Sequence, residues 1–246
     1  MIFQSNESYE REVAIAQSLA SMQVDGLLVS VAKTTRKFGH FTDLMREGIP
    51  LVFFDRACEE IEADKVVVDD FTGALNAVEY LIRTGCKRIA HFEAPQHFQI
   101  GYQRKRGYIS ALEKSGIAPD EELMVKCDTL EDALEVTPRI MRLKEPPDAI
   151  FAVNDMTASG ALKVLKQLRF RIPEDVSVIG FTDGPVATVT DPQLSSVSQH
   201  GFEMGEKAMA LLLDRMDVLK KDLPARLEIL PTDLIIREST RPLPVQ

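Results

Sequence analysis

The chain is poor in cysteine, in clustered basic charge and in long apolar runs, and each shortage removes a class of protein. Cys58, Cys86 and Cys127 are its only cysteines. They are odd in number and far apart, so neither a disulfide framework nor a paired-cysteine metal site is expected. Buried reduced thiols of a cytoplasmic protein are the simpler reading. Lysine and arginine total 29 against 38 aspartate and glutamate, a formal net charge of −9. Gripping nucleic acid takes a clustered basic face that releases counterions from phosphates. Only short basic runs such as Arg104-Lys105-Arg106 occur, so this chain is not expected to hold DNA by itself. No stretch approaches the ~18 apolar residues of a membrane span. Met1 leads into Ile2-Phe3-Gln4-Ser5-Asn6-Glu7 without the basic start and apolar core of a secretory leader, so a cytoplasmic location and no membrane partner are expected.

Catalytic signatures are missing too. There is no GxSxG elbow, no GxxxxGK[ST] phosphate loop, no GxGxxG after a strand and no HExxH. His40, His91, His97 and His200 share no metal-like spacing and read as surface or hydrogen-bonding histidines. Ser159-Gly160 lies inside a helical pattern and fits close helix packing better than a nucleophile. No catalytic residue, metal or cofactor is expected, although carboxylates at strand ends have the chemistry for acid–base work.

What is present is alternation. Short apolar runs, "MIF", "GLLVSV", "PLVFFD", "KVVVDD", "RIAHFE", "LMVKC", "AIFAV", "VSVIGF" and "SSVSQ", are separated by amphipathic stretches. The spacing predicts helices over Glu7–Met22 (capped by Asn6), Thr42–Glu47, Thr72–Thr84, Gln103–Ser115, Glu131–Leu143, Met156–Leu168 and Glu203–Leu219. Strands apolar on both faces and separated by helices imply parallel sheets covered by helices, an α/β architecture. Ligands of such sheets bind beyond the carboxyl ends of the strands. Polar residues stop the strands at Asp55-Arg56, Asn154-Asp155 and Thr182-Asp183.

Several segments resemble the lac repressor (LacI/GalR) family: "VVVDDFTGALNAVEYLIRTGCKRIAHF", "RKRGYISALEKSGI", "LSSVSQHGFEMGEKAMALLLDRM" and "LEILPTDLIIREST". The paired "DAIFAVND…ASGA" and "IPEDVSVIGF" of 148–183 carry the resemblance most specifically. It covers nearly the whole chain and implies the effector-binding core of a transcriptional regulator. That core is similar to type I periplasmic sugar-binding proteins: two α/β lobes, each a mostly parallel sheet flanked by helices, three hinge crossovers and a ligand cleft between. It implies lobes of 1–70 with 199–224 and of 71–198 with 225–240, hinges near Asp69–Phe71, Ser198–Gln199 and Pro224–Arg226, and a tail over 241–246. Against the family pattern, the helix-turn-helix and the first strand and helix of the core are absent from this sequence. The implied partners are a small effector (sugar, sugar acid or sugar phosphate), a second copy in a homodimer, and operator DNA through the absent helix-turn-helix. A substrate-binding protein of a sugar transporter shares the fold and is the alternative, which "LPTDLIIREST" disfavours.

The resemblance also nominates site residues. Asp55 matches a cleft carboxylate, or else is a turn-forming aspartate. Arg104 stands in the family's RxxG with Gly107; otherwise Arg106 points inward and Arg104 is solvated. Asn154 matches a cleft amide, with Asp155 capping the next helix. Gln199 matches a crossover glutamine, or is a plain strand residue, and Phe71 lines the cleft wall or joins the core. Thr182 stands where sugar-binding relatives commonly have aspartate, with Asp183 as a possible substitute. A hydroxyl there is expected to leave the surroundings of Arg104 more positive and more tolerant of an acidic ligand.

Overall fold

The apolar runs become strands and the amphipathic stretches become helices in the computed structural model, which describes residues 1–217 and 224–244. Helix α1 (Tyr9–Ser21), β1 (Leu27–Val29), α2 (Gly39–Arg46), β2 (Leu51–Phe54) and β3 (Asp64–Val68) begin a first unit. A second unit follows with α3 (Asp70–Arg83), β4 (Ile89–Glu93), α4 (Gln99–Lys114), β5 (Met124–Lys126), α5 (Leu130–Ile140), β6 (Ala149–Ala152), α6 (Asp155–Gln167), β7 (Ser177–Thr182), α7 (Pro185–Val189) and β8 (Ser195–Ser198). The chain returns to the first unit for α8 (Gly201–Met216) and β9 (Leu227–Leu230), then to the second for β10 (Asp233–Ile235). The two units are Met1–Val68 with Gly201–Leu230, and Asp69–His200 with Pro231–Gln246.

The first sheet has the order β1-β2-β3-β9 and is parallel throughout. Val52, Phe53 and Val66 are its buried centre, with Phe41 and Leu44 of α2 and Leu212 of α8 also buried. The third crossover differs from the expected Pro224–Arg226: Lys65 to Val68 pair with Leu227 to Leu230, so the chain leaves this unit only after Leu230. The cause is a charged knot. Asp64, fully buried, receives Arg215 Nε at 2.8 Å and Nη2 at 2.6 Å, and the Arg226 backbone N–H at 2.7 Å. Burial alone would raise the Asp64 pKa, but the Arg215 and Arg226 hydrogen bonds hold it below the ordinary carboxylate range.

Two details depart from the sequence expectations. Met1-Ile2-Phe3 forms no strand and lines a groove. Asn6 does not cap α1: it and Glu7 take positive φ, and Ser8 caps, its hydroxyl accepting the Arg11 N–H at 3.3 Å. The expected last two residues of the final helix, 218–219, lie outside the described residues. Strand β1 is an edge, its Leu27-Leu28-Val29 only half-buried. Beside it runs a groove of about 960 Å³ lined by Ile15, Leu19, Leu28, Met209, Leu213 and Met216, among others.

The second sheet has the order β10-β8-β7-β6-β4-β5, parallel except for β10 against β8. Its core is continuous: Phe92, Ile150, Ala152 and Val178 of the strands lie in one buried cluster with Ala133, Ile140, Ala158, Leu162 and Leu165 of α5 and α6.

Candidate functional site

Parallel pairing brings the polar strand ends of the second unit to one side. Phe92 is level with Ala152 and Thr182 with Ser198, so Glu93, Val153-Asn154, Thr182-Asp183 and Ser198-Gln199 all lie at the carboxyl ends of the strands. The first turn of α3 is tied to the same end. Asp69 caps it, its carboxylate accepting the Thr72 N–H at 2.9 Å, and Asp70 follows.

Arg104 of α4 is the inward arginine: it is 3% exposed, whereas Arg106 is exposed. Its Nε donates to Asp70 Oδ1 at 2.7 Å, Nη2 lies 2.7 Å from the same oxygen, and Nη1 donates to the Val153 carbonyl. The guanidinium stacks on Phe181, its central carbon 3.5 Å from the ring centroid. Gly107 explains how α4 comes this near. A Cβ there would lie 2.5 Å from the Phe71 carbonyl oxygen and 2.8 Å from Ala74 Cβ, so only glycine lets α4 close on α3. The RxxG spacing is therefore one device: the glycine sets the helix distance, and the arginine one turn earlier uses it.

The side chain of Asn154 is occupied internally. Its Oδ1 accepts the Thr157 N–H at 2.8 Å and its Nδ2 donates to the Asp128 carbonyl at 3.0 Å. Asn154, not Asp155, is the cap of α6. Asp155 instead lies buried in the first turn, with Ser196 Oγ donating to Oδ1 at 2.5 Å and the Gly184 N–H donating to Oδ2 at 3.0 Å. Burial raises its pKa and the nearby Asp183 charge adds to that, while the hydrogen bonds pull the other way.

Thr182 is exposed at the end of β7 with φ of 133°, and Asp183 follows at 56°. A β-branched residue at such a φ is strained, a conformation that persists only where the surroundings over-determine it. They do so here. The Thr182 carbonyl accepts the Gln199 N–H at 3.4 Å, the Asp183 N–H donates to Ser196 Oγ at 3.0 Å, and Asp183 Oδ1 lies 2.7 Å from Arg237 Nη1. Gln199 is buried and Phe71 half-buried, with Arg106 5.5 Å above the Phe71 ring.

Asp55 belongs to the first unit. It ends β2 half-buried, with φ of 56°, its N–H donating to the Val66 carbonyl at 3.0 Å. Within the second unit, Arg104, Asn154, Thr182, Asp183 and Gln199 share the carboxyl end of the sheet, with Phe71 on the α3 turn beside it. Sequence reasoning missed Asp70, Ser196 and Arg237. Asp70 was readable as the second aspartate closing "KVVVDD"; nothing local marks the other two. Arg104, expected to leave its surroundings more positive, has its own charge matched by Asp70 in a buried ion pair. Among the described residues no group of three or more His, Cys, Asp or Glu is placed to hold a metal, and no helix is long and apolar enough to cross a membrane.

Comparison with known proteins agrees with this fold. The family described as "Periplasmic binding protein-like domain" matches residues 78–240. The HTH-type transcriptional repressor CytR of Escherichia coli (strain K12) is 33% identical over 236 residues, covering 96% of this chain and 68% of that protein. The HTH-type transcriptional regulator CelR of Thermobifida fusca is 34% identical over 224 residues, 90% of this chain and 65% of its own length. Among solved structures, a transcriptional regulator CelR–cellobiose complex superposes with a TM-score of 0.85 at 31% identity, over 94% of this chain and 71% of that one. The transcription regulator CcpA of Lactococcus lactis gives 0.89 at 25% identity, over 98% and 87%.

Proposed function

Because the chain belongs to the LacI/GalR family of transcriptional regulators, as an effector-binding core, we propose that it binds a sugar or sugar derivative at the carboxyl ends of its second sheet. The observation that carries the reading is the strained turn at Thr182-Asp183. Ser196, Gln199 and Arg237 hold it at the end where Arg104 and Asp70 meet, and backbone strain held by its neighbours gathers at ligand clamps. Hydroxyl, carboxylate, amide and guanidinium groups together offer both donors and acceptors, as vicinal hydroxyls require. The cellobiose of the CelR complex is a ligand of that chemistry. Regulation of DNA binding would then belong to a reading module joined to this core, and homodimerisation and a cytoplasmic location complete the proposal.

Thermal-shift screening against mono- and disaccharides and nucleosides tests it, repeated on Thr182→Val and Gln199→Ala. One compound class should raise the melting temperature of the wild type, and both variants should weaken that rise. Stabilisation unchanged in both variants would move the site elsewhere, and stabilisation by none would reject the reading.

A further inference from the structure

We infer that Asp70 is a specificity-determining residue: it cancels the charge of Arg104, so that the site accepts uncharged ligands and rejects anions. The inference rests on the proposed effector site and concerns which ligands that site can admit.

An arginine at a ligand site is ordinarily an anion receptor, since its fork matches carboxylate and phosphate geometry. Here the fork is already engaged. At least three of its five N–H bonds go to Asp70 and the Val153 carbonyl, and Phe181 covers one face. Both partners of the ion pair are buried, so solvent screens the pair little. Asp70 also stands in the first turn of α3, where the helix dipole favours a carboxylate. The charge of Arg104 is thus matched inside the protein before any ligand arrives.

The neighbouring cations repeat the arrangement. Lys105 Nζ lies 2.8 Å from Glu93, and Arg237 Nη1 lies 2.7 Å from Asp183. Each of these cations at this end has its own carboxylate, and Asp69 and Asp155 add further acidic groups. Arg106, above the Phe71 ring, bonds Gln103 rather than a carboxylate, but it is exposed to solvent. A phosphate or uronate placed beside Arg104 would meet a matched cation and would face several like charges. A neutral polyhydroxylated ligand needs only donors and acceptors. The hydroxyl at Thr182 fits the same logic, since Asp70 already supplies the negative charge that an aspartate at position 182 would otherwise bring.

The test uses inorganic phosphate, titrated against chloride at matched ionic strength, on the wild type, on Asp70→Asn and on the double variant Asp70→Asn/Arg104→Met. Asparagine keeps an oxygen to accept the Arg104 Nε–H but removes the charge. Thermal shift and calorimetry should show no phosphate-specific response in the wild type. Asp70→Asn should gain phosphate affinity by about tenfold or more, the scale of one uncompensated charge at contact distance in a partly screened site. The gain should vanish in the double variant. Should Asp70→Asn fold poorly, Asp70→Ser carries the same comparison. Phosphate binding equally to wild type and Asp70→Asn, or a gain that persists without Arg104, overturns the inference. The two failures are separable. If no sugar or nucleoside stabilises the wild type, the effector reading fails even where phosphate gains on Asp70→Asn. If a neutral sugar binds and phosphate gains nothing, only the role of Asp70 fails.

Discussion

Thr182 shows how much one residue can carry. Its φ of 133° is foreign to a β-branched side chain, and glycine adopts it freely. Thr182→Gly should therefore release strain of about 1–3 kcal/mol, less the roughly 0.5–1 kcal/mol that glycine costs in chain entropy. The net expectation is a second unit as stable as wild type or more so, read by urea unfolding, with effector affinity reduced; a clear loss of stability would contradict it. His91 makes the opposite kind of statement. It is fully buried between Tyr108 and Phe151, ring centroids 5.1 and 5.0 Å away, with Nδ1 3.1 Å from the Phe151 carbonyl. Burial lowers its pKa to about 4, the hydrogen bond to Phe151 opposes the shift, and the charges of Lys105 and Arg104 add to it. The unfolded chain takes up this proton near pH 6.5 and the folded chain only near 4. Stability from this residue is thus whole above about pH 6.5 and is lost as the pH falls toward 4, a swing on the order of 3 kcal/mol. His91→Phe, which keeps the stacked ring, should flatten the stability curve across that window. An unchanged slope in urea melts between pH 4 and 6.5 would assign the acid sensitivity to other groups.

At the scale of elements, Gly107 is the clearest joint. The atoms that a new Cβ would meet are backbone and the first carbon of Ala74, and none is the far end of a flexible side chain. Gly107→Ala should cost about 1–3 kcal/mol of stability, by forcing α3 and α4 apart. The same separation should weaken the Arg104–Asp70 pair, and a melting temperature within a degree of wild type would refute the account. Elements such as these were largely legible in the sequence, because apolar runs and amphipathic periodicity are local signals. The parallel sheets and the gathering of polar residues at the strand ends followed from them. What escaped was decided at a distance. The cap of α1 moved to Ser8 because Glu7 is drawn across to the Lys33 N–H at 2.7 Å and to Arg56 at 2.8 Å. Residues 227–230 joined the first sheet because Asp64, far away in sequence, collects Arg215 and Arg226. Asp70 neutralises Arg104 across 34 positions of sequence, which no window on either segment reveals. Asn154 is named a cleft amide by the resemblance, and the fold adds that both ends of its side chain are hydrogen-bonded within the protein.

At the scale of the molecule, the two units should differ in stability. In the second, the strands β4, β6 and β7 are buried on both faces, and α5 and α6 close one continuous apolar cluster. In the first, β1 is a half-buried edge strand beside a groove of about 960 Å³. Met22, Met209, Leu213 and Met216 are all exposed there. An apolar surface left in water contributes little of the roughly 25 cal/mol per Å² that burial yields. Unpaired strand edges and thin apolar packing are also where local opening is cheapest. The Asp64 knot opposes this at the far side of the sheet, tying β3 to α8 and β9, so weakness should concentrate at β1 and α1 rather than spread evenly. Hydrogen exchange should therefore show amides of β1 and α1 opening at a lower free energy than those of β6 and β7. Chemical unfolding should proceed in two steps, with the first unit leading. An apolar dye should bind before the main transition, and Leu213→Ser with Met216→Gln should reduce that binding without lowering the second step. Equal protection in β1 and β7, together with a single unfolding step by all probes, would overturn the expected difference between the units.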